Sequence, residues 1–117
     1  PTLRHMQTDR RIAARAPVQM FFNKYIDGQP HLCEALELSM SGMLVRRIHE
    51  PDAQRACYAV EIAQPSADEG KGRVWLCASP VWQIGEYEAL AFIGQSAFDR
   101  MRLADMLAQV RGVPLAS

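Results

Sequence analysis

The chain has 117 residues, 49% of them hydrophobic and 22% charged, and its thirteen basic and thirteen acidic side chains cancel to a formal net charge of zero. This size and composition suit one globular domain with a real core, and they exclude a disordered chain, a globally basic nucleic-acid coat and a long acidic tail. No apolar run approaches the ~20 residues that a membrane-spanning helix needs, and the opening residues do not look like a secretory signal; three cysteines without pairing motifs fit a reducing cytoplasm, the expected location.

Residues 1–15 read as a flexible arm carrying Arg4, Arg10, Arg11 and Arg15 against one acid, Asp9. Pro17 disfavours helix at Ala16 and turns the chain toward extended backbone. Residues 18–26 are rich in β-formers and end at the turn signal Asp27-Gly28. Residues 31–38 alternate, with Leu32, Glu34, Leu36 and Leu38 on one face. A polar break, Ser39-Met40-Ser41-Gly42, precedes a third strand over 43–48. Residues 49–56 read as a loop. A fourth strand over 57–63 alternates Tyr58, Val60 and Ile62. Residues 64–72 read as a solvated hairpin loop, and 73–79 as a fifth strand. Pro80 suits a bulge or an edge because it cannot donate to a ladder, and Val81-Trp82 extends that strand. Residues 86–93 form the sixth.

Ser96 opens a different period. Ser96 and Asp99 have capping-box spacing, and Leu103, Met106, Leu107 and Val110 form an apolar stripe at i, i+3, i+4 and i+7. Gly112 and Pro114 end this helix, predicted over 96–111. Six short antiparallel strands and one C-terminal helix predict an all-β barrel capped by the helix, because closure removes exposed edges. The barrel and helix are expected to occupy 16–112, with 113–117 as a tail.

Catalysis finds no support. There is no GxSxG elbow, no GxxxxGK(S/T) phosphate loop, no GxGxxG turn and no carboxylate pair in a recognisable motif. Cys33, Cys57 and Cys77 contain no CxxC spacing, so neither a zinc site nor a disulfide framework is expected. They read as free, protonated core thiols. His5, His31 and His49 show no ligand spacing, and no metal or cofactor is predicted. Trp75, Trp82 and Tyr87 have the type of side chain that stacks nucleic-acid bases. Few cations accompany them besides Arg46, Arg47 and Arg73, so they read as packing and neither DNA nor RNA is the expected partner.

Two segments carry chemistry. In Arg10-Arg11-Ile12-Ala13-Ala14-Arg15, guanidinium forks can bond phosphate oxygens or the O6 and N7 edge of guanine in the same bidentate geometry. In Glu37-Leu38-Ser39-Met40-Ser41-Gly42, a carboxylate can accept from guanine N1–H and N2–H, a hydroxyl can bond phosphate or base, and glycine admits close approach. Taken singly, the first is a solvated charge cluster and the second a β-turn of small polar residues.

In this order, Arg11-Ile12-Ala13-Ala14-Arg15 as RxxxR and Glu37-Leu38-Ser39-Met40-Ser41-Gly42 as (D/N)xSxxG, ahead of a small barrel, the chain resembles the PilZ domain family. Gly72-Arg73-Val74-Trp75 and Ala89-Leu90-Ala91-Phe92, followed by Ser96 and the helix, continue the resemblance from residue 10 to about residue 110. It implies a six-stranded antiparallel barrel with a C-terminal helix. It also implies a bacterial receptor without catalytic activity for the second messenger cyclic di-GMP, of the kind that serves motility and biofilm signalling. Arg11 and Arg15 would clasp guanine edges and phosphates from the arm, Ser39 would hydrogen-bond the ligand, and Gly42 would permit its approach. Arg10 would help hold a second, stacked ligand molecule. Glu37 stands where Asp or Asn is usual, right in charge and one methylene longer, and Ala89 stands where glycine is common. The bound arm would present a surface to a downstream protein partner. The second reading keeps the fold and drops the nucleotide: an interaction adaptor in pilus or motility machinery.

Overall fold

The computed structural model describes residues 16–63 and 73–111. The arm with Arg10, Arg11 and Arg15, the predicted loop over 64–72, the helix stop at Gly112 and Pro114, and the tail lie outside the described residues. Six strands, β1 (Ala16–Ile26), β2 (Gln29–Leu38), β3 (Gly42–Arg47), β4 (Tyr58–Ala63), β5 (Arg73–Ile84) and β6 (Tyr87–Ile93), precede helix α1 (Ala97–Arg111). All neighbours are antiparallel, and the order β1-β2-β3-β6-β5-β4 closes into a barrel. The predicted all-β barrel with one helix is therefore the observed architecture.

Local chemistry explains the joints. Asp27 and Gly28 take φ of 52° and 82° between the paired residues Ile26 and Gln29. That is the mirror-image two-residue turn whose twist matches the flanking strands, and Asp-Gly is among the few pairs that adopt it cheaply. β5 runs through Pro80 to Ile84, longer than the sequence indicates, because a register shift between Pro80 and Trp82 absorbs the missing donor. At α1 the Asp99 amide donates to Ser96 Oγ at 3.0 Å and the Ser96 amide donates to Asp99 Oδ2 at 3.2 Å, a complete capping box. Leu103, Met106 and Leu107 are buried and join the barrel core, with α1 packed against β5 and β1.

The inward rows carry Phe22 and Ile26 of β1, Leu38 of β2, Met43 and Val45 of β3, Tyr58, Val60 and Ile62 of β4, Val74, Leu76 and Ala78 of β5, and Leu90 and Phe92 of β6. Two charged residues share these rows. Lys24 lies between Phe22 and Ile26 and is 0% exposed, and Glu88 lies two residues before Leu90 and is 2% exposed. Lys24 Nζ donates to Glu88 Oε1 at 2.8 Å and to Glu50 Oε1 at 2.7 Å, and it sits 4.4 Å from the centre of the Tyr58 ring. Glu50 belongs to the 48–57 connection, which turns in over this end of the barrel. Its second oxygen, Oε2, accepts from Cys33 Sγ at 3.6 Å, while Arg47 Nη1 approaches Oε1 at 3.7 Å. The Tyr58 hydroxyl accepts from the Arg55 amide and donates to the Ala53 carbonyl, while the Arg55 guanidinium clasps Asp27. The connection is thereby tied to the β1–β2 hairpin.

Burial works against the Lys24 ammonium, but hydrogen bonds and charge from Glu50 and Glu88 outweigh it and hold its pKa above the usual lysine value. Burial, with the Glu50 charge behind it, pushes the Cys33 thiol from 9.0 up to about 12. Both folded-state pKa values exceed the unfolded ones, so unfolding releases protons and becomes easier as pH rises. The melting temperature is expected to hold below pH 9, where the unfolded thiol begins to ionise, and to fall steadily toward pH 12; a flat profile across that window contradicts this account. Lys24→Met strands two carboxylates in the core, which costs about 3–5 kcal/mol and lowers the melting temperature by about 15 °C or more, measurable by thermal and urea denaturation.

Candidate functional site

The chain leaves β2 at Leu38 and enters β3 at Gly42 through a corner organised by one hydroxyl. Ser39 Oγ accepts from the amides of Ser41 and Gly42, both at 3.2 Å, lies 3.2 Å from Ser41 Oγ, and reaches the Gly42 carbonyl at 3.3 Å. The Ser39 amide also donates to that carbonyl at 2.9 Å. Ser39 is 2% exposed, so its hydroxyl is committed inside the corner and faces no solvent. Ser41 is the exposed hydroxyl of the pair. The Ser41 carbonyl accepts from the Phe92 amide, and Gln95 donates to the Met40 carbonyl at 3.2 Å. These bonds lock the corner to β6 and to the entry of α1.

Gly42 is required by its neighbour. A Cβ there would lie 2.2 Å from the Leu90 carbonyl oxygen, a backbone atom that cannot step aside. The corner is thus explained by packing before any ligand is considered. Gly42→Ala is expected to cost about 1–3 kcal/mol through overpacking. Ser39→Ala is expected to cost about 1–3 kcal/mol by leaving amides unsatisfied, whereas Ser41→Ala changes stability by less than about 0.5 kcal/mol. Urea denaturation of the three variants checks the order.

Beside the corner, on the outer face of β3, β6 and β5, lies a depression of about 150 Å³ bordered by Ser39, Ser41, Gly42, Leu44, Ala89, Ala91, Val81 and Trp82. It exists because β6 presents alanines between larger neighbours. The register joins Pro17, Glu37, Leu44, Ala89 and Trp82 into one cross-strand row, and residues opposite each other in a row share a face. Glu37 and Trp82 therefore bracket the depression three strands apart, roughly 14 Å at ordinary strand spacing. Glu37, at the β2 register shift between Ala35 and Glu37, is half-buried. Trp82 is 40% exposed.

Arg10, Arg11 and Arg15 lie outside the described residues, but the covalent chain bounds their origin. Ala16, bonded directly to Arg15, pairs with Leu38, the residue before Ser39. The structure brings Glu37, Ser39 and Gly42 together at the same corner, with the arginine motif tethered one residue away from the strand end beside it.

Trp82 and Ser41 line the depression, although sequence reasoning did not name them as candidate site residues. The β5 register shift exposes consecutive side chains, Val81 and Trp82, so simple alternation misplaces the indole. Trp75, Trp82 and Tyr87, expected as packing, are all exposed. The nearby cations are nevertheless engaged: Arg46 with Glu34, Arg47 with Glu50 and the Gly85 carbonyl, and Arg73 with Glu61. The expectation of three core thiols also needs correction. Cys33 is buried, Cys77 is half-buried and Cys57 is exposed, just outside β4.

Elsewhere on the outer face, the Tyr25 and Trp75 rings meet at 5.3 Å over Glu61. Burial raises the Glu61 pKa, but hydrogen bonds from Arg73, Asn23 and Tyr25 prevail and hold it below the usual glutamate value. Every buried side-chain polar atom among the described residues has a partner, and no three His, Cys, Asp or Glu side chains there converge as metal ligands. No helix among them is long and apolar enough to cross a membrane.

The sequence matches no protein-family model and no curated protein. Among solved structures, the crystal structure of the PilZ domain of CeSA from a cellulose synthesizing bacterium is similar over 84% of this chain and 95% of that one, with a TM-score of 0.62 and 14% sequence identity. Strand order, closure and the terminal helix agree with that likeness, and the chain has a PilZ-like fold.

Proposed function

We propose that this chain is a bacterial, cytoplasmic receptor domain for cyclic di-GMP that lacks catalytic activity and signals to a partner protein. The observation that supports the reading is the pairing of Ala16, the residue bonded to Arg15 at the end of the RxxxR motif, with Leu38 at the Ser39–Gly42 corner. Arg11 and Arg15 clasp phosphates and guanine edges, and Arg10 supports a second ligand molecule. Glu37 accepts from guanine donors at one end of the depression, while Trp82 offers a stacking face at the other. Ala89, Ala91 and Gly42 keep the floor low, and Ser41 supplies the open hydroxyl. Ser39 acts by shaping the corner. A neutral protein with one arginine cluster suits a ligand carrying two negative charges, and salt weakens such binding modestly.

Ordering the arm over the ligand would create the surface that a partner reads, and the ligand can shift that equilibrium only by its difference in affinity for the two arm positions. The adaptor reading draws on the committed Ser39 hydroxyl and on Glu37 in place of a shorter acid. Isothermal titration separates the two. The receptor gives saturable heat with cyclic di-GMP. Arg11→Ala with Arg15→Ala weakens binding about a hundredfold, as two charge-assisted contacts imply, and Trp82→Ala weakens it about tenfold through lost stacking. Absence of heat up to ~1 mM ligand, where binding energy falls to about 4 kcal/mol, rejects the receptor and leaves the adaptor.

A further inference from the structure

Two of the three cysteines meet on the outside of the barrel. Ala59 pairs with Cys77 and Tyr58 with Ala78 across β4 and β5. Alternation puts residue 57 on the same outward side as Ala59, so Cys57 is the diagonal neighbour of Cys77, at a Cβ separation below about 7–8 Å. The electrostatics agree with that proximity: the neighbouring Cys57 thiol acts on Cys77 and holds its pKa above the usual thiol value. Ser79 Oγ donates to the Ala56 carbonyl at 3.0 Å, which holds the segment before β4 against β5. Cys57 is exposed and Cys77 half-buried, while Cys33 is sealed in the core at 0% exposure beside Glu50.

We propose that Cys57 and Cys77 form a reversible intramolecular disulfide, made by exchange with a low-molecular-weight disulfide such as oxidised glutathione. Cys57, the accessible thiol, loses its proton to solvent and its sulfur attacks one sulfur of the oxidant. The oxidant's S–S bond breaks and the first glutathione thiolate leaves and takes up a proton. Cys77 then deprotonates and attacks Cys57 Sγ, breaking the mixed disulfide and expelling the second thiolate, which is protonated in turn. Two protein thiols are oxidised and one oxidant disulfide is reduced to two thiols.

The order of attack follows from the environment. The adjacent Cys57 thiol, aided by burial, raises the Cys77 pKa and keeps that thiol protonated, which suits a resolving rather than an attacking group. A disulfide prefers Cα atoms closer than a diagonal pair provides, and Cys57 lies in the irregular segment ahead of β4, where the backbone can move in. The bridge closes the β4–β5 hairpin into a covalent loop and staples the start of β4 to β5.

Mass spectrometry of the folded chain treated with oxidised glutathione tests this. The expected product is a monomer lighter by two hydrogens, with Cys57 and Cys77 joined in its peptide map, Cys33 unmodified, a melting temperature raised by several degrees, and full reversal by dithiothreitol. Cys77→Ser is expected to accumulate a stable glutathione adduct on Cys57, while Cys33→Ser leaves the bridge intact. A persistent adduct on wild-type Cys57, a bridge to Cys33, disulfide-linked dimers or no reaction at all each overturns the proposal, and all four are read on the wild-type chain.

Discussion

The structure turns on one ammonium group held dry inside a barrel. Lys24 projects from β1 into rows otherwise filled by Phe22, Ile26, Val60 and Phe92, and it is tolerated because Glu88 and Glu50 meet it at hydrogen-bond distance and the Tyr58 ring covers it. The constraint reaches well beyond one residue. Glu50 is in no strand, so the 48–57 connection must fold over the barrel end to deliver it. Arg47 then balances the second carboxylate, and Cys33 is left as a protonated donor to Glu50. Buried charge clusters add little net stability compared with apolar packing, but they are expensive to leave half-made. The cluster therefore specifies which loop closes this end and in what register β1 and β6 face each other across the core.

The opposite logic builds the candidate site. There the chain uses small residues and backbone bonds: Ser39 folds back on its own turn, Gly42 lets β3 ride against the Leu90 carbonyl, and Ala89 and Ala91 leave a shallow floor. The motif that suggested a ligand is thus first a folding device, since the serine and the glycine are each demanded by the corner itself. The two explanations are compatible. A corner locked by internal bonds and tied to α1 through Gln95 is ordered before anything docks on it, so a ligand placed there would have little further ordering to impose.

The strands and the helix were legible because their signals are local. Asp27-Gly28 marks a two-residue turn, Tyr58, Val60 and Ile62 alternate, Ser96 and Asp99 cap, and Leu103, Met106 and Leu107 repeat at helical spacing; each is a property of a few neighbouring residues. Strand limits were less legible. Pro80 signalled a bulge, but the phase shift it causes, which leaves both Val81 and Trp82 in solvent, depends on the partner strand. Lys24 and Glu88 carried a hint in their phase with Phe22 and Leu90. Nothing local announces Glu50, whose place depends on how its loop folds across the barrel.

Taken by itself, the sequence determined a neutral, six-stranded barrel with a capped helix and named the polar corner at 37–42, because period, turn chemistry and capping act over short stretches of chain. Only tertiary structure decided that Ser39 spends its hydroxyl inward, that Gly42 answers to β6, that Glu37 and Trp82 share one outer row, and that Cys57 finds Cys77. Those outcomes depend on register and closure, which bring together side chains far apart along the chain, and cross-strand distance is a quantity that no local pattern contains.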